Sequence, residues 1–409
     1  MTEAGSLLLC IVCIAIPHCA QDFRKKLTIL TALFAALLSG CRQPPDPAPN
    51  YHEYAYVTNG GSNTVTVVDL RSFSIHTTIP VGKSPTGVAA SRRKNEIYVA
   101  NTDSNNISVI DAESNKVVST IGVHRAPYFV DVSADGSRAY VANSGSANVS
   151  VIDLDRRKVI RTILTGNGSN LARVTPDGKL VLVALRDENA VAIIDAARMV
   201  LRAKVKVCGK PVELAIVPDS SKAFVACSEG HQIGVLDLNT DKLLTQLDVG
   251  QTPTQIAVKP DGGEVFVCNY DSSSISEIIS SSNEVNNTFL IGDHPVHALV
   301  SPDNSLLYVA NFGSDSIAVY SIDNGRRAGS VNVGSHPEQF ALSPNQYFLL
   351  VINTGSGDLS VVSLIDSKGH PLFPRPSPQE AVIPLGPETM IPLGREPRAI
   401  AVKAFVGQQ

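Results

Sequence analysis

The sequence predicts an all-β protein, a β-propeller of eight four-stranded blades. Three observations support this: a tetrapeptide recurs every 42 residues, most periods hold four short apolar runs, and the chain ends together supply one more set of four. A repeat near 40 residues made of short strands is typical of propellers, in which each period forms one blade. Seven blades is the alternative, if one degenerate period does not form its strands.

The recurring tetrapeptide sets the register of the strands. It reads YVTN or YVAN in four periods, beginning at Tyr56, Tyr98, Tyr140 and Tyr308. Degenerate copies continue the same spacing, beginning at Leu182, Phe224, Phe266 and Leu350. An apolar run precedes each copy, a VID-type run follows it, and a fourth run ends near a G-x-x-P step such as Gly82 to Pro85. The Val, Ile and aromatic content of these runs predicts strands.

The chain ends predict how the ring closes. The N-terminal part supplies three strands, YVTN, VTVVD and HTTIPV, before the first complete quartet. Seven quartets follow, with first strands near Gly87, Val130, Leu171, Leu214, Ile256, Ala298 and Phe340. Residues 399–403 (AIAVK) supply one more strand. Three plus one makes an eighth blade that joins both chain ends and leaves no free sheet edge.

Residues 1–40 are predicted to be a lipoprotein-type signal peptide. A basic run at 24–26 precedes an apolar run at 27–40 that is too short to span a bilayer. The end of this run, Leu38-Ser39-Gly40-Cys41, resembles the bacterial lipobox, which implies a lipidated thiol on Cys41. Residues 41–50 then form a Pro-rich tether, and the propeller occupies 51–406. By resemblance to Gram-negative lipoproteins, Arg42 rather than Asp after Cys41 implies the outer membrane, facing the periplasm or the cell surface.

One period is longer than the rest and contains a Pro-rich insertion at about 366–386. Because proline cannot donate to a sheet ladder, this insertion is predicted to be a surface loop.

Three cysteines lie in the propeller. Cys227 and Cys268 lie at neighbouring repeat positions in the second strands of adjacent blades. An oxidising periplasm would allow a bridge, but strand alternation would point them to opposite faces. Cys208 stands at the Gly of a G-x-x-P step. Buried free thiols are therefore favoured, and the disulfide state stays open.

The composition and the missing motifs limit the classes of function that the sequence supports. The net charge of −4 and only 5% aromatic residues argue against nucleic-acid binding. The sequence contains no G-x-S-x-G, H-E-x-x-H, Walker A or C-x-x-C-H motif. Catalysis is therefore not indicated, no cofactor is required, and a monomer is expected.

The repeat closely resembles the YVTN family of bacterial and archaeal propellers, which includes surface-layer and YncE-type periplasmic proteins. The resemblance covers about 51–405 and is specific for the fold, not for one function. The sequence departs from it at Leu185 and Cys227, where the repeated Asn is lost, and at Ile279, Ser321 and Ser363, where the Asp of the VID run is lost. Relatives by architecture include lactonases, quinoprotein-type propellers and eight-bladed haem d1 domains.

The function predicted from these features is an envelope-anchored binding module. Its partner would be a protein, peptidoglycan or polysaccharide, or a small anionic ligand. The lipid would attach the protein to the membrane. The first alternative is a lactonase-like enzyme or haem d1-type cofactor protein with a site at the channel mouth. The second alternative is YncE-like nucleic-acid binding.

The candidate site lies at the G-x-x-P steps, because the connection from an outer strand to the next inner strand lies at a propeller's channel mouth. One arc of these steps is basic and would receive an anion, with Glu338 across from it: Lys83, Arg125, Arg395 and Arg398. The opposite arc holds three imidazoles that would bind a metal or haem iron: His294, His297 and His336. The alternative is a solvent-lined mouth. The repeated Asn and Asp residues are expected to be structural, through Asx turns.

Overall fold

The computed structural model describes residues 50–366, 368–373 and 386–407. Within them, 32 strands form eight antiparallel sheets of four strands each. The prediction of eight blades is therefore confirmed, and the period at 256–291, the weakest in sequence, forms a complete blade like the others.

The first four complete blades follow the chain from the inner to the outer strand. Blade 1 contains β4 (Pro85–Ala90), β5 (Glu96–Asn101), β6 (Asn106–Asp111) and β7 (Lys116–Gly122). Blade 2 contains β8 (Pro127–Val132), β9 (Arg138–Asn143), β10 (Asn148–Asp153) and β11 (Lys158–Leu164). Blade 3 contains β12 (Ser169–Val174), β13 (Leu180–Leu185), β14 (Ala190–Asp195) and β15 (Val200–Lys206). Blade 4 contains β16 (Pro211–Ile216), β17 (Lys222–Cys227), β18 (Gln232–Asp237) and β19 (Lys242–Asp248).

The remaining blades complete the ring. Blade 5 contains β20 (Pro253–Val258), β21 (Glu264–Asn269), β22 (Ser274–Ile279) and β23 (Glu284–Leu290). Blade 6 contains β24 (Pro295–Val300), β25 (Leu306–Asn311), β26 (Ser316–Ser321) and β27 (Arg326–Asn332). Blade 7 contains β28 (Pro337–Leu342), β29 (Phe348–Asn353), β30 (Asp358–Ser363) and β31 (Thr389–Pro392). The closing blade contains β32 (Pro397–Val406), β1 (Tyr51–Asn59), β2 (Thr64–Asp69) and β3 (Ser74–Pro80).

Helix is nearly absent from the described part of the chain. Three single 3₁₀ turns follow second strands, at Thr102–Ser104, Arg186–Glu188 and Phe312–Ser314. Among the described residues, none of the helical segments has the length and apolar character needed to cross a bilayer. The predicted leader and Cys41 lie outside the described residues.

Blade-on-blade packing explains the nearly continuous apolar runs. In β5, Ile97, Tyr98, Val99 and Ala100 are all buried, so both faces of the strand are covered. Each core cluster joins two adjacent blades; one places Tyr56 and Val67 of the closing blade against Ile97 and Val99 of blade 1. A central sheet with both faces covered has no solvent side, and its strands are therefore apolar at every position.

The chain ends close the ring as predicted. Strand β32 pairs with β1 as the innermost strand of the closing blade. The Ala399 amide donates to Oγ1 of Thr58 at 3.1 Å, and the Gly60 amide donates to the Glu396 carbonyl at 2.8 Å. Residues more than 330 positions apart thus share one sheet, which joins the last blade to the first without a covalent link.

The first residues of the Pro-rich insertion pack against the propeller and do not form only a surface loop. Ile365 and Pro371 form an isolated antiparallel bridge, and Phe373 is buried among blade 6 and 7 side chains. The Phe373 ring lies where a Cβ on Gly329 would stand, so this glycine leaves room for it in β27. Residues 374–385 lie outside the described residues.

The cysteine prediction was wrong for two of the three residues. Cys208 and Cys227 form a disulfide with a Cα–Cα distance of 5.6 Å, whereas Cys268 is a buried free thiol. The partner of Cys227 is not in the adjacent blade position considered from sequence. It lies in the connection that enters the same blade, which folds back over the end of β17.

The repeated polar residues are structural, as predicted, but the Asn residues act differently from the expectation. The Asn101 amide donates to Oδ1 of Asn106 at 2.8 Å and to Oγ of Ser108 at 2.9 Å, and so ties β5 to β6 through side chains rather than by an Asx turn. The repeated Asp residues do form Asx turns: Oδ1 of Asp111 accepts from the Ser114 amide at 2.7 Å.

Candidate ligand-binding site

The G-x-x-P steps share one backbone geometry around the ring. The residue before the inner strand has a positive φ in all eight steps, although only one of the eight is glycine, and in seven of them a proline follows it: Ser84, Ala126, Gly168 (followed by Ser169), Lys210, Thr252, His294, His336 and Glu396. Its carbonyl accepts from the amide that follows the second strand, as Ser84 does from Thr102 at 3.0 Å. Because the conformation recurs everywhere, the positive φ of His294 and His336 belongs to the repeat and does not mark a site.

The basic arc is exposed at the channel mouth, on three consecutive steps. Lys83, Arg125 and Arg395 make no ion pair with any described residue, whereas Arg398 contacts Oε2 of Glu396 at 2.8 Å. Elsewhere on the same face a basic residue is paired: Lys210 meets Glu229 at 2.6 Å. In two of the three basic steps the position equivalent to Glu229 is glycine, namely Gly61 and Gly145. The third step has Asp103 at that position, and Glu396 lies between Arg395 and Arg398, so among the described residues the arc holds three unpaired cations with carboxylates nearby.

Glu338 lies next to the arc on the innermost strand of blade 7. Burial raises the pKa of its carboxyl, and the neighbouring charge of Arg398 and a hydrogen bond from Thr354 oppose this shift. The sequence prediction placed Glu338 across from the basic arc, whereas its step adjoins that of Arg398, whose charge acts on the Glu338 carboxyl.

Two of the three imidazoles belong to a row of rings on the same face. The His294 ring lies 4.5 Å from that of Tyr270, and the His336 ring stacks on Phe312 at 4.4 Å with an interplanar angle of 7°. Nδ1 of His294 also contacts Oδ1 of Asp293 at 2.8 Å. These contacts fix the orientation of the two rings that were predicted to bind a metal.

The third imidazole, His297, lines the channel instead. Its ring meets Phe340 edge-on at 4.7 Å, and Nδ1 has no water-accessible surface and no hydrogen-bond partner. Burial, aided by the charge of Arg173, lowers its pKa to about 4. No three His, Cys, Asp or Glu side chains among residues 50–366, 368–373 and 386–407 are grouped to hold a metal. The structure therefore does not bring His294, His297 and His336 together.

A second group of charges, absent from the sequence prediction, lies inside the channel. Nη2 of Arg173 on β12 donates to Oε1 of Glu213 on β16 at 3.1 Å, and its guanidinium lies 4.7 Å over the Phe129 ring. Burial disfavours the charge of Arg173, but Glu213 and Asp131 outweigh it and raise its pKa. Oδ2 of Asp131 accepts from the Val174 amide at 2.9 Å, which satisfies a donor on an inner strand edge.

This group could have been found by comparing blades at one repeat position. The inner-strand position reads Ala89, Asp131, Arg173, Ala215 and Ala257 at intervals of 42. Asp131 and Arg173 are charged, whereas the other three residues are alanines. The fold of a blade therefore does not require a charge at this position. The sequence prediction compared only the G-x-x-P steps.

These features define the class of protein: an eight-bladed β-propeller with a charged, open mouth and a central channel lined by inner strands. The chain belongs to the YncE-like beta-propeller family, whose family model matches residues 132–382. No curated protein matches the chain.

Three solved structures share the fold. Hydrazine synthase of Kuenenia stuttgartiensis is 20% identical, covers 68% of this chain and 95% of its own, and has a TM-score of 0.55. A dihydro-heme d1 dehydrogenase, NirN in complex with DHE, is 14% identical, with 88% and 77% covered and a TM-score of 0.69. A functionally unknown protein from Desulfotomaculum acetoxidans is 20% identical, with 70% and 99% covered and a TM-score of 0.55. At these identities the likeness shows the fold alone.

Proposed function

We propose that this protein is an envelope-anchored binding module that takes an anionic ligand at the channel mouth. The observation that carries the proposal is the basic arc of Lys83, Arg125 and Arg395, none of which forms an ion pair with a described residue, continued by Arg398 beside Glu338. Guanidinium groups on a rigid scaffold bind carboxylate and phosphate oxygens with charge-assisted hydrogen bonds. The ligand would be a small anion or an acidic group of a protein or polysaccharide.

Rigid placement favours binding over catalysis. The arc stands on backbone turns that recur in all eight blades, so the cations are held apart at fixed spacing. At the described mouth the carboxyls of Glu338 and Glu396 both lie by the charge of Arg398, and the rings of His294 and His336 pack against aromatic rings. The likeness to NirN carries no cofactor to this chain, because it rests on the fold.

Anion titration tests the site. The full chain would be titrated with inorganic phosphate, citrate and short-chain polyphosphate at low and at physiological ionic strength. Arg125→Ala/Arg398→Ala should weaken binding by about tenfold or more, since two charge-assisted contacts are lost. The matched control is Arg161→Ala/Arg326→Ala, which removes two exposed cations from outer strands. Equal weakening in both double variants, or no anion binding by the wild type, would refute the site.

The anchor is tested separately. Cys41→Ser should abolish incorporation of radiolabelled fatty acid and leave an unprocessed or soluble protein, because acylation needs the thiol. Fatty-acid labelling that persists in Cys41→Ser would contradict the lipoprotein part of the proposal and leave the mouth site untouched.

A further inference from the structure

The channel holds a cavity at the end opposite the G-x-x-P mouth. Its volume is about 540 Å³, and it is lined by the inner strands of blades 1 to 5 and by Ala401 of β32. The turns that follow the inner strands form its rim, with Arg92 and Pro176 among them. This volume lies in the range of sites that enclose small organic ligands.

Arg173 offers more hydrogen-bond donors to this cavity than its neighbours can satisfy. A guanidinium has five N–H groups, and Arg173 gives one hydrogen bond, to Glu213 at 3.1 Å. Its side chain is 38% exposed although it stands within the channel, so the remaining donors are accessible from the cavity. A cation that is deep but accessible to solvent can exchange water for a ligand.

Three of the four oxygens of the nearby carboxylates accept hydrogen bonds from described residues. Oε1 of Glu213 accepts from both Arg173 and the Leu214 amide, at 3.1 and 3.0 Å. The two oxygens of Asp131 accept from the Val132 and Val174 amides, each at 2.9 Å. Arg92 at the rim is exposed and makes no ion pair with a described residue. Donors therefore exceed free acceptors in the cavity.

Apolar side chains form one part of the wall, beside the charged side chains of Arg92, Asp131, Arg173 and Glu213. Val174, Ile216 and Val258 line it, and the Phe129 ring supports one face of the guanidinium. The positive charge of Arg173 also reaches across the channel, where it helps to keep His297 neutral by lowering its pKa. Apolar side chains beside a guanidinium with free donors match a molecule with an apolar body and one acceptor-rich end.

We propose that this cavity is a second binding site, for a small organic carboxylate with an apolar or aromatic body. The carboxylate would accept from the free N–H groups of Arg173, and the body would lie against the apolar part of the wall. This site goes beyond the proposed mouth function, because it shares none of the residues of the basic arc.

Simple probes test the chemistry directly. The full chain would be titrated by calorimetry with benzoate and 3-phenylpropionate, and in parallel with benzyl alcohol and benzylamine. Arg173→Gln should weaken carboxylate binding by about tenfold or more. Glu213→Gln keeps an oxygen that can accept from Arg173 and removes the competing negative charge, so it should strengthen carboxylate binding several-fold. Arg161→Gln, which changes an exposed outer-strand residue, should leave affinity unchanged.

A folding control keeps the test decisive. If Arg173→Gln alone melts early because Glu213 loses its partner, Arg173→Gln/Glu213→Gln removes both charges and should melt close to wild type yet still bind carboxylates poorly. The proposal fails if the wild type binds neither carboxylate, or if an Arg173 variant that stays folded binds them unchanged. It also fails if benzylamine is preferred and loses affinity in Glu213→Gln. Arg125→Ala/Arg398→Ala should not alter benzoate binding, which separates this site from the mouth.

Discussion

The disulfide between Cys208 and Cys227 stands where five other blades hold a glycine against an asparagine. A Cβ on Gly82 would lie 2.7 Å from the Cβ of Asn101, and the same contact recurs at Gly250, Gly292, Gly334 and Gly394. The two cysteines are separated by 19 residues, the same spacing as Gly82 and Asn101. One blade thus replaces a close packing contact with a covalent bond.

Neighbouring residues have adapted to the sulfur atoms. Where other blades place a Ser or Thr that accepts from the Asn amide, this blade has Gly234. A Cβ at Gly234 would lie 3.5 Å from Sγ of Cys208, so the missing side chain leaves room for the bridge. The disulfide therefore goes with sequence changes at three positions of the repeat, Cys208, Cys227 and Gly234.

Removal of the disulfide should destabilise the fold measurably. Cys208→Ser/Cys227→Ser should lower the free energy of unfolding by about 3 kcal/mol, because the bridge closes a loop of roughly twenty residues. The triple variant Cys208→Gly/Cys227→Asn/Gly234→Ser restores the repeat pattern and should recover part of the loss. Urea denaturation of the three proteins measures both effects.

Peptide mapping supplies the independent check on the bridge. In the oxidised protein the peptides that contain Cys208 and Cys227 should be linked, and Cys268 should be alkylated only after denaturation. A stability equal to wild type in the serine variant, or unlinked peptides, would show that the bridge does not form in solution.

The Asn311 amide lacks the hydrogen-bond acceptor that the equivalent Asn residues of other blades have, and one substitution should supply it. In blade 5 the Asn269 amide donates to Oγ of Ser276 at 3.0 Å, but the equivalent of Ser276 in blade 6 is Ala318. Both the amide nitrogen and oxygen of Asn311 are buried without a partner. Ala318→Ser should stabilise the protein by about 1 kcal/mol, because it satisfies a buried donor.

The reverse change in the neighbouring blade is the control. Ser276→Ala should cost about 1 to 2 kcal/mol by leaving the Asn269 amide with fewer acceptors. If Ala318→Ser destabilises while Ser276→Ala is neutral, the side-chain bridge does not contribute to stability.

Deletion of residues 399–409 should abolish cooperative unfolding. It removes most of β32, including the Ala399 amide that donates to Thr58 and the Lys403 ammonium that donates to the Ser91 carbonyl at 2.7 Å. The remaining strands of the closing blade would lose their inner neighbour and expose a sheet edge. Calorimetry and gel filtration would detect a broad transition and association.

A conservative change tests whether pairing rather than chain length matters. Val406→Ser alters an exposed residue at the end of β32 and should leave the melting temperature nearly unchanged. A deletion variant that melts like wild type would show that β32 is not required to close the ring.

His297 should make the protein less stable as the pH falls below 6.5, the ordinary pKa of an imidazole. Its pKa is about 4 when folded and 6.5 as an ordinary imidazole. Between these values the unfolded chain binds more protons, so stability is highest above pH 6.5 and declines as the pH falls towards 4. The loss should be about 2 kcal/mol, with the upper limit set by the size of the shift.

His297→Gln should remove this part of the pH dependence. Glutamine already occupies the equivalent inner-strand position in the adjacent blades, where Gln255 and Gln339 accept from the Ala298 and Ile400 amides. His124→Gln, an exposed imidazole, is the control and should keep the wild-type profile. Arg173→Gln should raise the pKa of His297 in an NMR titration. Identical pH profiles for wild type and His297→Gln would contradict the burial argument.

Most of the fold follows from the sequence, for a physical reason. A 42-residue period fixes which segments are equivalent, and each blade must bury both faces against its neighbours, so the apolar runs at Tyr98 or Val149 identify strands directly. Blade number then follows by counting, including the strand that residues 399–403 add to the N-terminal three. The apolar runs are local patterns, and each is repeated because every blade must bury both faces.

The tertiary structure decided what depends on contacts between different strands of the ring. Cys208 meets Cys227 because a connection folds back over the end of β17, and Phe373 is buried because Gly329 leaves space for it. The three imidazoles share neighbouring steps in sequence, yet two stack on aromatic rings and His297 turns into the channel. Arg173 and Glu213 meet because adjacent inner strands bring their side chains together around the axis. Side-chain direction at the ring's centre depends on the neighbouring blade, and the repeat alone does not specify it.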